Sequence, residues 1–251
     1  MDDLDLLIDL HRGTARQGPG GDAETDLAIA LSGLSDRRDL KIADIGCGSG
    51  ASTIQLAKSL DASITAVDFL PNVLEDLNAR ATTEGVSDRI TTLQASMDAL
   101  TFEPSSLDAI WSEGAIYNIG FEAGLRNWRR YLKPGGVIAV SELTWLTAER
   151  PQEIHDHWTK AYPEVNTAAT KIAQLEANGF KPLGYFILPE HCWTENYYAP
   201  VQAGFESFLK RHDASPAAKA VVDAEAAEIS LFERFSDFFG YGFYVARKLS
   251  G

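Results

Sequence analysis

The segment Lys41-Ile-Ala-Asp-Ile-Gly-Cys-Gly-Ser-Gly-Ala51 determines the fold class of this 251-residue chain. It begins with a short apolar run of the kind that forms a buried strand. A glycine-rich stretch at 46–50 follows, and residues 51–60 then take up a helical period. A glycine-rich turn between a strand and a helix brings the backbone close to a ligand and directs free N–H groups at it. The segment therefore predicts a nucleotide-type site at the carboxyl edge of a parallel sheet.

The glycine-rich loop alone leaves two interpretations open. Gly46-x-Gly48-x-x-Ala51 also fits the dinucleotide fingerprint, which would make the protein an NAD(P)-dependent oxidoreductase. Asp44 argues against this, because a carboxylate beside the helix N-terminus would repel a pyrophosphate and attract a cation. The pattern Asp44-x-Gly46-x-Gly48-x-Gly50 resembles motif I of the class I S-adenosylmethionine-dependent methyltransferases. Their ligand carries a sulfonium and an ammonium but no phosphate.

Acidic residues after the next two predicted strands agree with this resemblance. The second strand ends in Asp68, which the resemblance places on the ribose hydroxyls, although NAD enzymes use the same device. Ser96, Met97 and Asp98 come directly after the third strand. The resemblance implies that Asp98 receives the adenine amino group and that Met97 packs on the adenine ring.

The resemblance extends over nearly the full chain. The run 107–112 predicts a fourth strand, and Leu132-Lys-Pro-Gly-Gly136, itself a family signature, precedes a fifth strand at 137–142. Together with Arg16-Gln-Gly-Pro-Gly20 and the segment 111–120, these landmarks resemble the ubiquinone/menaquinone-biosynthesis type of small-molecule methyltransferase.

The order of the predicted elements is typical of an α/β fold, a doubly wound, mostly parallel sheet. The resemblance implies seven strands in a Rossmann-like methyltransferase fold with helical lid insertions, the last strand being antiparallel and lying beside the fifth. Predicted strands are 41–45, 63–68, 90–95, 107–112, 137–142, 180–189 and 241–249. Predicted helices are 2–11, about 22–34, 51–60, 71–84, 117–132, 151–162, 167–178, 194–212 and 216–239.

The chain is predicted to be a single methyltransferase domain, because its length and its 45% hydrophobic content suit one α/β core with additions. Its parts are an N-terminal helical cap and loop at 1–36, a cofactor-binding core at 37–142, a lid and C-terminal half at 143–240, and a terminal strand at 241–251. No apolar stretch approaches the roughly 18 residues of a membrane-spanning helix. The acidic start and the low cysteine content favour a cytoplasmic location.

The charge favours a small-molecule partner. With 36 acidic and 22 basic residues, the formal net charge is −14. Nucleic-acid binding needs a basic surface that displaces counterions, so we expect no nucleic-acid partner and no membrane partner. No Cys/His spacing resembles a zinc site, so no metal is expected. The oligomeric state stays open, with a homodimer as one option.

The candidate cofactor ligands come from the motifs and from the N-terminal loop. They are Arg16, Gly18, Asp44, Gly46, Cys47, Gly48, Gly50, Asp68, Phe69, Ser96, Met97, Asp98, Ser112 and Glu113. Arg16 lies beside a Gly-Pro-Gly-Gly turn, and the cofactor's carboxylate offers it an anionic partner. We therefore expect residues 11–21 to fold over the cofactor, the alternative being a mobile terminal loop.

The candidate acceptor residues lie on segments expected at the same sheet edge. They are Tyr117, Glu142, Trp145, Trp193, Tyr197 and Tyr198, with Trp111 as a further aromatic. Aromatic faces with carboxylates suit a cationic or amine acceptor, although each aromatic side chain fits a core position equally well. As catalytic residues we predict Glu113, which follows the fourth strand, and then His191, an imidazole on a predicted lid. The alternative makes Glu113 a cofactor or backbone ligand.

Methyl transfer from S-adenosylmethionine to a small-molecule acceptor in an aromatic, acid-containing pocket is the favoured function. Because the sulfonium is an activated donor, positioning and desolvation can carry much of the rate. An S-adenosylmethionine-binding protein without methyl transfer is an alternative, since the binding motifs are clearer than any catalytic group. An NAD(P)-dependent oxidoreductase is less favoured, since it leaves Asp44 and Asp98 unexplained.

Overall fold

The computed structural model describes residues 3–250, and side chains from residue 5 onward. The strands are β1 (Leu40–Ile45), β2 (Ala62–Asp68), β3 (Ile90–Gln94), β4 (Leu107–Glu113), β5 (Leu132–Trp145), β6 (Asn166–Thr167), β7 (Phe180–Ile187) and β8 (Phe239–Lys248). The helices are α1 (Asp3–His11), α2 (Asp22–Ser32), α3 (Ala51–Ser59), α4 (Pro71–Thr83), α5 (Phe121–Trp128), α6 (Gln152–Ala161), α7 (Ala168–Ala177), α8 (Glu190–Trp193), α9 (Ala199–Arg211) and α10 (Pro216–Phe235). Residue 2 of the predicted first helix and residue 251 of the predicted terminal segment lie outside the described residues.

The strands form one mixed sheet in the order β3-β2-β1-β4-β5-β8-β7, and β6 pairs with β5 off this path. Strands β1 to β5 are parallel, whereas β8 runs antiparallel between β5 and β7. The predicted Rossmann-like methyltransferase order and the antiparallel last strand are therefore confirmed. Among residues 3–250, no helix has the length and apolar character needed to cross a membrane.

Several predicted elements have different bounds, and two of these differences have a clear structural reason. Strand β5 begins at Leu132 rather than at 137, because Leu132 already pairs with Leu107 before an irregularity shifts the register to Val137. The helix predicted at 117–132 is interrupted at Gly120, whose φ of +85° places it in the left-handed region just before α5.

The central parallel strands β1 and β4 are buried on both faces, as expected when helices cover both sides of a sheet. On β1, Ile42 packs in the same cluster as Leu56 of α3, whereas Ile45 packs with Leu125 of α5 on the other face. This sandwich brings the carboxyl ends of β1, β2, β3 and β4 to one edge, where ligands bind in open α/β sheets.

Candidate active site

The loop after β1 depends on glycines in the left-handed region. Gly46, Gly48 and Gly50 have φ values of +72°, +51° and +84°. A Cβ on Gly46 would lie 2.3 Å from the Cβ of Ala115, and one on Gly50 would lie 1.9 Å from Cδ1 of Leu77. Glycine is therefore required both by the backbone conformation and by the close approach of the neighbouring elements.

Asp44 lies beneath this loop and not on the surface of a cavity, contrary to its predicted contact with a cationic ligand. Its Oδ2 accepts hydrogen bonds from Ser52 Oγ at 2.8 Å and Thr53 Oγ1 at 2.6 Å, which fasten β1 to the first turn of α3. Burial raises the pKa of Asp44 to about 7. Burial also raises the pKa of the Cys47 thiol, which suits a small lining residue and not a nucleophile.

A cavity of about 710 Å³ opens at the carboxyl ends of β1, β2 and β4. Small-molecule sites typically occupy roughly 300–1,000 Å³. The predicted cofactor ligands that line it are Arg16, Gly18, Gly46, Cys47, Gly48, Asp68, Phe69, Ser96, Met97, Asp98 and Glu113. Asp44, Gly50 and Ser112 are absent from the lining. Ser112 is fully buried and donates to the carbonyl of Ile45 at 2.8 Å, so it joins β4 to β1 instead.

Asp68 is positioned for a ligand with neighbouring hydroxyl groups. Its Oδ2 accepts from Gly48 N at 2.9 Å, and its Oδ1 accepts from Leu70 N at 3.0 Å. Each carboxylate oxygen keeps further acceptor capacity for a ribose hydroxyl. Asp98, exposed in the same cavity, accepts from Ser96 Oγ and can also accept from an amino group. These acceptors and the glycine-rich loop fit the ribose, adenine and methionine parts of S-adenosylmethionine.

The N-terminal loop, residues 12–21, is fastened to the glycine-rich loop. Gln17 Oε1 accepts from Ser49 N at 2.8 Å, and Gln17 Nε2 donates to Ser49 Oγ at 3.1 Å. Arg80 of α4 donates to the carbonyls of Ala15 at 2.9 Å and Ser49 at 2.7 Å. The N-terminal loop thus lies where a cover over the cofactor was predicted, and its response to the cofactor stays a prediction.

Glu113 lines the cavity, but protein donors already hold its carboxylate. Arg16 Nη1 donates to Oε2 at 3.1 Å, while Thr25 Oγ1 and Trp111 Nε1 donate to Oε1 at 2.7 and 2.9 Å. Arg16 also pairs with Asp22 at 2.9 Å. Three protein side chains therefore already occupy this carboxylate. The geometry favours a structural role for Glu113, through side-chain partners and not through the cofactor or backbone contacts of the predicted alternative.

His191, the second predicted catalytic residue, does not line the cavity. Helix α8 directs it toward α2, where its Nε2 lies 3.5 Å from Glu24 Oε1 and 3.7 Å from Cys192 Sγ. Ligand atoms of these three residues lie within 4.8 Å of one another, close enough to share a cation, although their sequence spacing resembles no zinc motif. His191 thus faces away from the predicted acceptor.

The predicted acceptor residues separate into two groups. Tyr117 and Tyr197 line the cavity. The residues outside it are Trp111, Glu142, Trp145, Trp193 and Tyr198, all of them buried. Trp193 stacks on Phe232 of α10 with ring centroids 4.7 Å apart, and Glu142 pairs with Lys171 at 3.4 Å. Trp193 thus packs against α10 and Glu142 is engaged by α7, and none of the five residues is among those that line the cavity.

Helices α1 and α10 supply cavity residues that the sequence analysis missed. His11 Nε2 lies 3.4 Å from Glu225 Oε1, and the His11 ring stacks on Tyr197 at 5.7 Å. Glu228 also lines the cavity and accepts from Tyr198 Oη at 3.1 Å. Burial raises the pKa of Glu228, and the neighbouring charge of Glu225 raises it further.

One signal for these residues was present in the sequence. In α10, Val221, Glu225 and Phe232 are buried at helical spacing, so a carboxylate lies within the apolar stripe. An acid at such a position needs a partner when it is buried. The partner, His11, comes from the other end of the chain, and helical periodicity does not reveal it.

Part of the chain is similar in sequence to known proteins. The profile of the methyltransferase domain family matches residues 42–136. The chain is 30% identical over 162 residues to an uncharacterised protein of Haemophilus influenzae, covering 63% of each protein. It is 27% identical over 150 residues to the ubiquinone/menaquinone biosynthesis C-methyltransferase UbiE of Rhizobium rhizogenes, covering 57% of this chain and 58% of that protein. The matched regions thus span about 63% and 58% of these relatives.

The whole fold also has a solved counterpart. The S-adenosylmethionine-dependent methyltransferase from Geobacter sulfurreducens, crystallised with S-adenosyl-L-homocysteine, superposes with a TM-score of 0.84. The two chains are 17% identical, and the match covers 96% of this chain and 97% of that one. Residues 42–136 are thus similar to the methyltransferase domain family, and the whole chain has the fold of a solved S-adenosylmethionine-dependent methyltransferase.

Proposed function

We propose that this protein transfers a methyl group from S-adenosylmethionine to a small-molecule acceptor. One observation carries this proposal: a single cavity joins Asp68 and Asp98, beside the glycine-rich loop, to Tyr117, Tyr197 and Glu225. Methyl transfer needs donor and acceptor held together in one space, so that positioning lowers the barrier.

The cofactor, when bound, supplies an electrophilic methyl group on its sulfonium. Asp68 accepts hydrogen bonds from the ribose hydroxyls, Asp98 accepts from the adenine amino group, and Met97 packs against the ring. Gly46 and Gly48 leave room for the methionine part above the backbone. The N-terminal loop lies against the glycine-rich loop, to which Gln17 fastens it at Ser49.

The acceptor pocket is aromatic and contains acids, but it is made of residues different from most of those predicted. Tyr117 and Tyr197 provide aromatic faces, and Glu225 and Glu228 provide carboxylates. These carboxylates disfavour a phosphorylated or otherwise anionic acceptor at this end of the cavity. The pocket therefore supports a small neutral or cationic acceptor.

Calorimetry and product analysis test this function. We expect S-adenosylhomocysteine to bind with one-to-one stoichiometry and NADH not to bind. With S-adenosylmethionine and a panel of small acceptors, mass spectrometry is expected to detect S-adenosylhomocysteine together with a methylated product. Binding of NADH in place of S-adenosylhomocysteine would support an oxidoreductase. Cofactor binding without consumption across the panel would support a binding protein without methyl transfer.

A further inference from the structure

We infer that the acceptor is a primary or secondary amine, that Glu225 and Glu228 bind it as its ammonium form, and that His11 removes its proton. This inference rests on the proposed function, because it assigns the acceptor end of the same cavity.

The first support is a pair of buried polar atoms without partners. The side chains of His11 and Glu225 are 10% and 11% exposed, and their Nε2 and Oε1 atoms lie 3.4 Å apart. His11 Nδ1 and Glu225 Oε2 are both buried and have no hydrogen-bond partner among the described residues. Since buried polar atoms are nearly always hydrogen-bonded, these two atoms show that the described residues do not satisfy the polar groups of this cavity-lining pair.

The second support is the orientation that Glu225 imposes on the imidazole. A carboxylate facing Nε2 favours the tautomer in which Nε2 carries the proton and donates to that carboxylate. Nδ1 of His11 then keeps its lone pair, which is the requirement for a general base. Stacking on Tyr197, at an interplanar angle of 19°, holds the ring plane in place.

The third support is the charge at this end of the cavity. Glu225 and Glu228 lie one turn apart on α10, and burial disfavours the charged form of Glu228. Two arginines also line the cavity. Arg16 is paired with Glu113 and Asp22, and Arg12 is exposed to solvent. Since these arginines do not neutralise Glu225 and Glu228, an ammonium group on the acceptor would compensate the negative charge of the two carboxylates.

The fourth support comes from the aromatic lining. Burial raises the pKa of Tyr117 and of Tyr197, so both side chains stay neutral phenols at neutral pH. Neutral aromatic faces attract cations, most strongly when the cation is desolvated. Tyr117 and Tyr197 therefore favour the same ligand charge as the two carboxylates.

The reaction balances with the residues present. The N–H proton of the ammonium passes to His11 Nδ1, which leaves a lone pair on the amine nitrogen. That lone pair forms the new N–C bond to the methyl carbon while the C–S bond breaks, and its electron pair stays on sulfur as S-adenosylhomocysteine forms. The product is the methylated ammonium, and the proton on His11 is later released to solvent.

A binding experiment tests the substrate class. The probes are small aromatic and aliphatic amines, each matched with its hydroxyl isostere, such as benzylamine with benzyl alcohol. They are screened by ligand-observed NMR against the full-length protein saturated with S-adenosylhomocysteine. We expect amines as a group to bind about tenfold more tightly than alcohols, which is the effect of one charged hydrogen bond. Glu225→Gln and Glu228→Gln should remove this preference, whereas Glu233→Gln, exposed on the same helix, should retain it.

A kinetic experiment tests whether His11 acts as a base or only as a structural contact between α1 and α10. In His11→Gln, the amide can still donate to Glu225 while the imidazole base is absent. We expect kcat for an alkylamine, protonated at neutral pH, to fall about a hundredfold, and kcat for an aniline, unprotonated at that pH, to fall far less. S-adenosylhomocysteine affinity and the thermal unfolding midpoint should be unchanged, as in the control His157→Gln.

Three outcomes would overturn the inference. They are an equal preference for amines and alcohols in the wild type, a preference that survives both glutamate substitutions, and an equal loss of kcat for the alkylamine and the aniline in His11→Gln. Different results would contradict the proposed function itself. They are a wild type that binds no S-adenosylhomocysteine, or one that methylates no acceptor of any class.

Discussion

Arg16 Nη1 lies 3.1 Å from Glu113 Oε2 and thereby joins the N-terminal loop to the carboxyl end of β4. Both side chains are nearly buried, with 10% and 8% exposed. The same carboxylate binds Thr25 of α2. Glu113 therefore organises the chain around the cavity.

Glu113→Gln tests this organising role. We expect amide hydrogen exchange of residues 12–21 to accelerate by about tenfold or more, because a charge-assisted hydrogen bond contributes about 1.5–3 kcal/mol. Bound S-adenosylhomocysteine should slow this exchange in the wild type. Glu122→Gln, exposed on α5, is the matched control. Unchanged exchange together with slower methyl transfer would instead identify Glu113 as a proton acceptor.

Asp68→Ala should weaken binding of S-adenosylhomocysteine. The lost carboxylate would accept charged hydrogen bonds worth about 1.5–3 kcal/mol, which corresponds to roughly a 10- to 150-fold rise in Kd. Isothermal calorimetry measures the change. Asp61→Ala, exposed before the opposite end of β2, should bind like the wild type. Unchanged affinity in Asp68→Ala contradicts the ribose assignment.

Gly46→Ala should destabilise the protein more than Gly85→Ala. Both glycines have a similar positive φ, +72° and +68°, but a Cβ on Gly85 meets nothing within 4 Å. The backbone conformation alone costs an alanine about 1–2 kcal/mol. Contact with Ala115 should add about 1–3 kcal/mol in Gly46→Ala. Urea unfolding of both variants compares these costs, and equal destabilisation would show that the loop can move away from Ala115.

Lys171→Met should destabilise the protein more at pH 8 than at pH 5. The side chains of Lys171 and Glu142 are fully buried. Burial raises the pKa of Glu142 to about 7, and Lys171 opposes that rise. Without Lys171 the pKa rises further. The pKa of Glu142 in the folded protein then exceeds its value in the unfolded chain. The stability that protonated Glu142 contributes to the folded protein is therefore present at low pH and is lost as the pH rises through the folded-state pKa.

Urea unfolding of Lys171→Met and wild type at both pH values measures this difference. At pH 8 we expect a loss of about 3–5 kcal/mol, the usual cost of breaking a buried ion pair. The double variant Lys171→Met/Glu142→Gln should lose this pH dependence, because no buried carboxyl group is left at 142. If Lys171→Met lowered the free energy of unfolding equally at pH 5 and pH 8, the claim that Lys171 stabilises the charged form of Glu142 would be contradicted.

The cavity-lining residues around the glycine-rich loop could be predicted because they lie in local patterns. Asp68 ends β2 and Asp98 follows β3, and parallel strands bring their carboxyl ends to one edge. The acceptor side depends on packing between distant segments. His11 meets Glu225 only because α1 packs on α10, and α8 directs His191 toward Glu24. No periodicity within a single segment specifies such contacts.

A crystal structure with bound S-adenosylhomocysteine tests the central claim most directly. We expect the ribose hydroxyls on Asp68, the adenine amino group on Asp98, and the sulfur facing the end of the cavity lined by His11, Tyr197 and Glu225. A sulfur atom directed away from these residues, or a ligand bound outside this cavity, would contradict the claim that donor and acceptor share it.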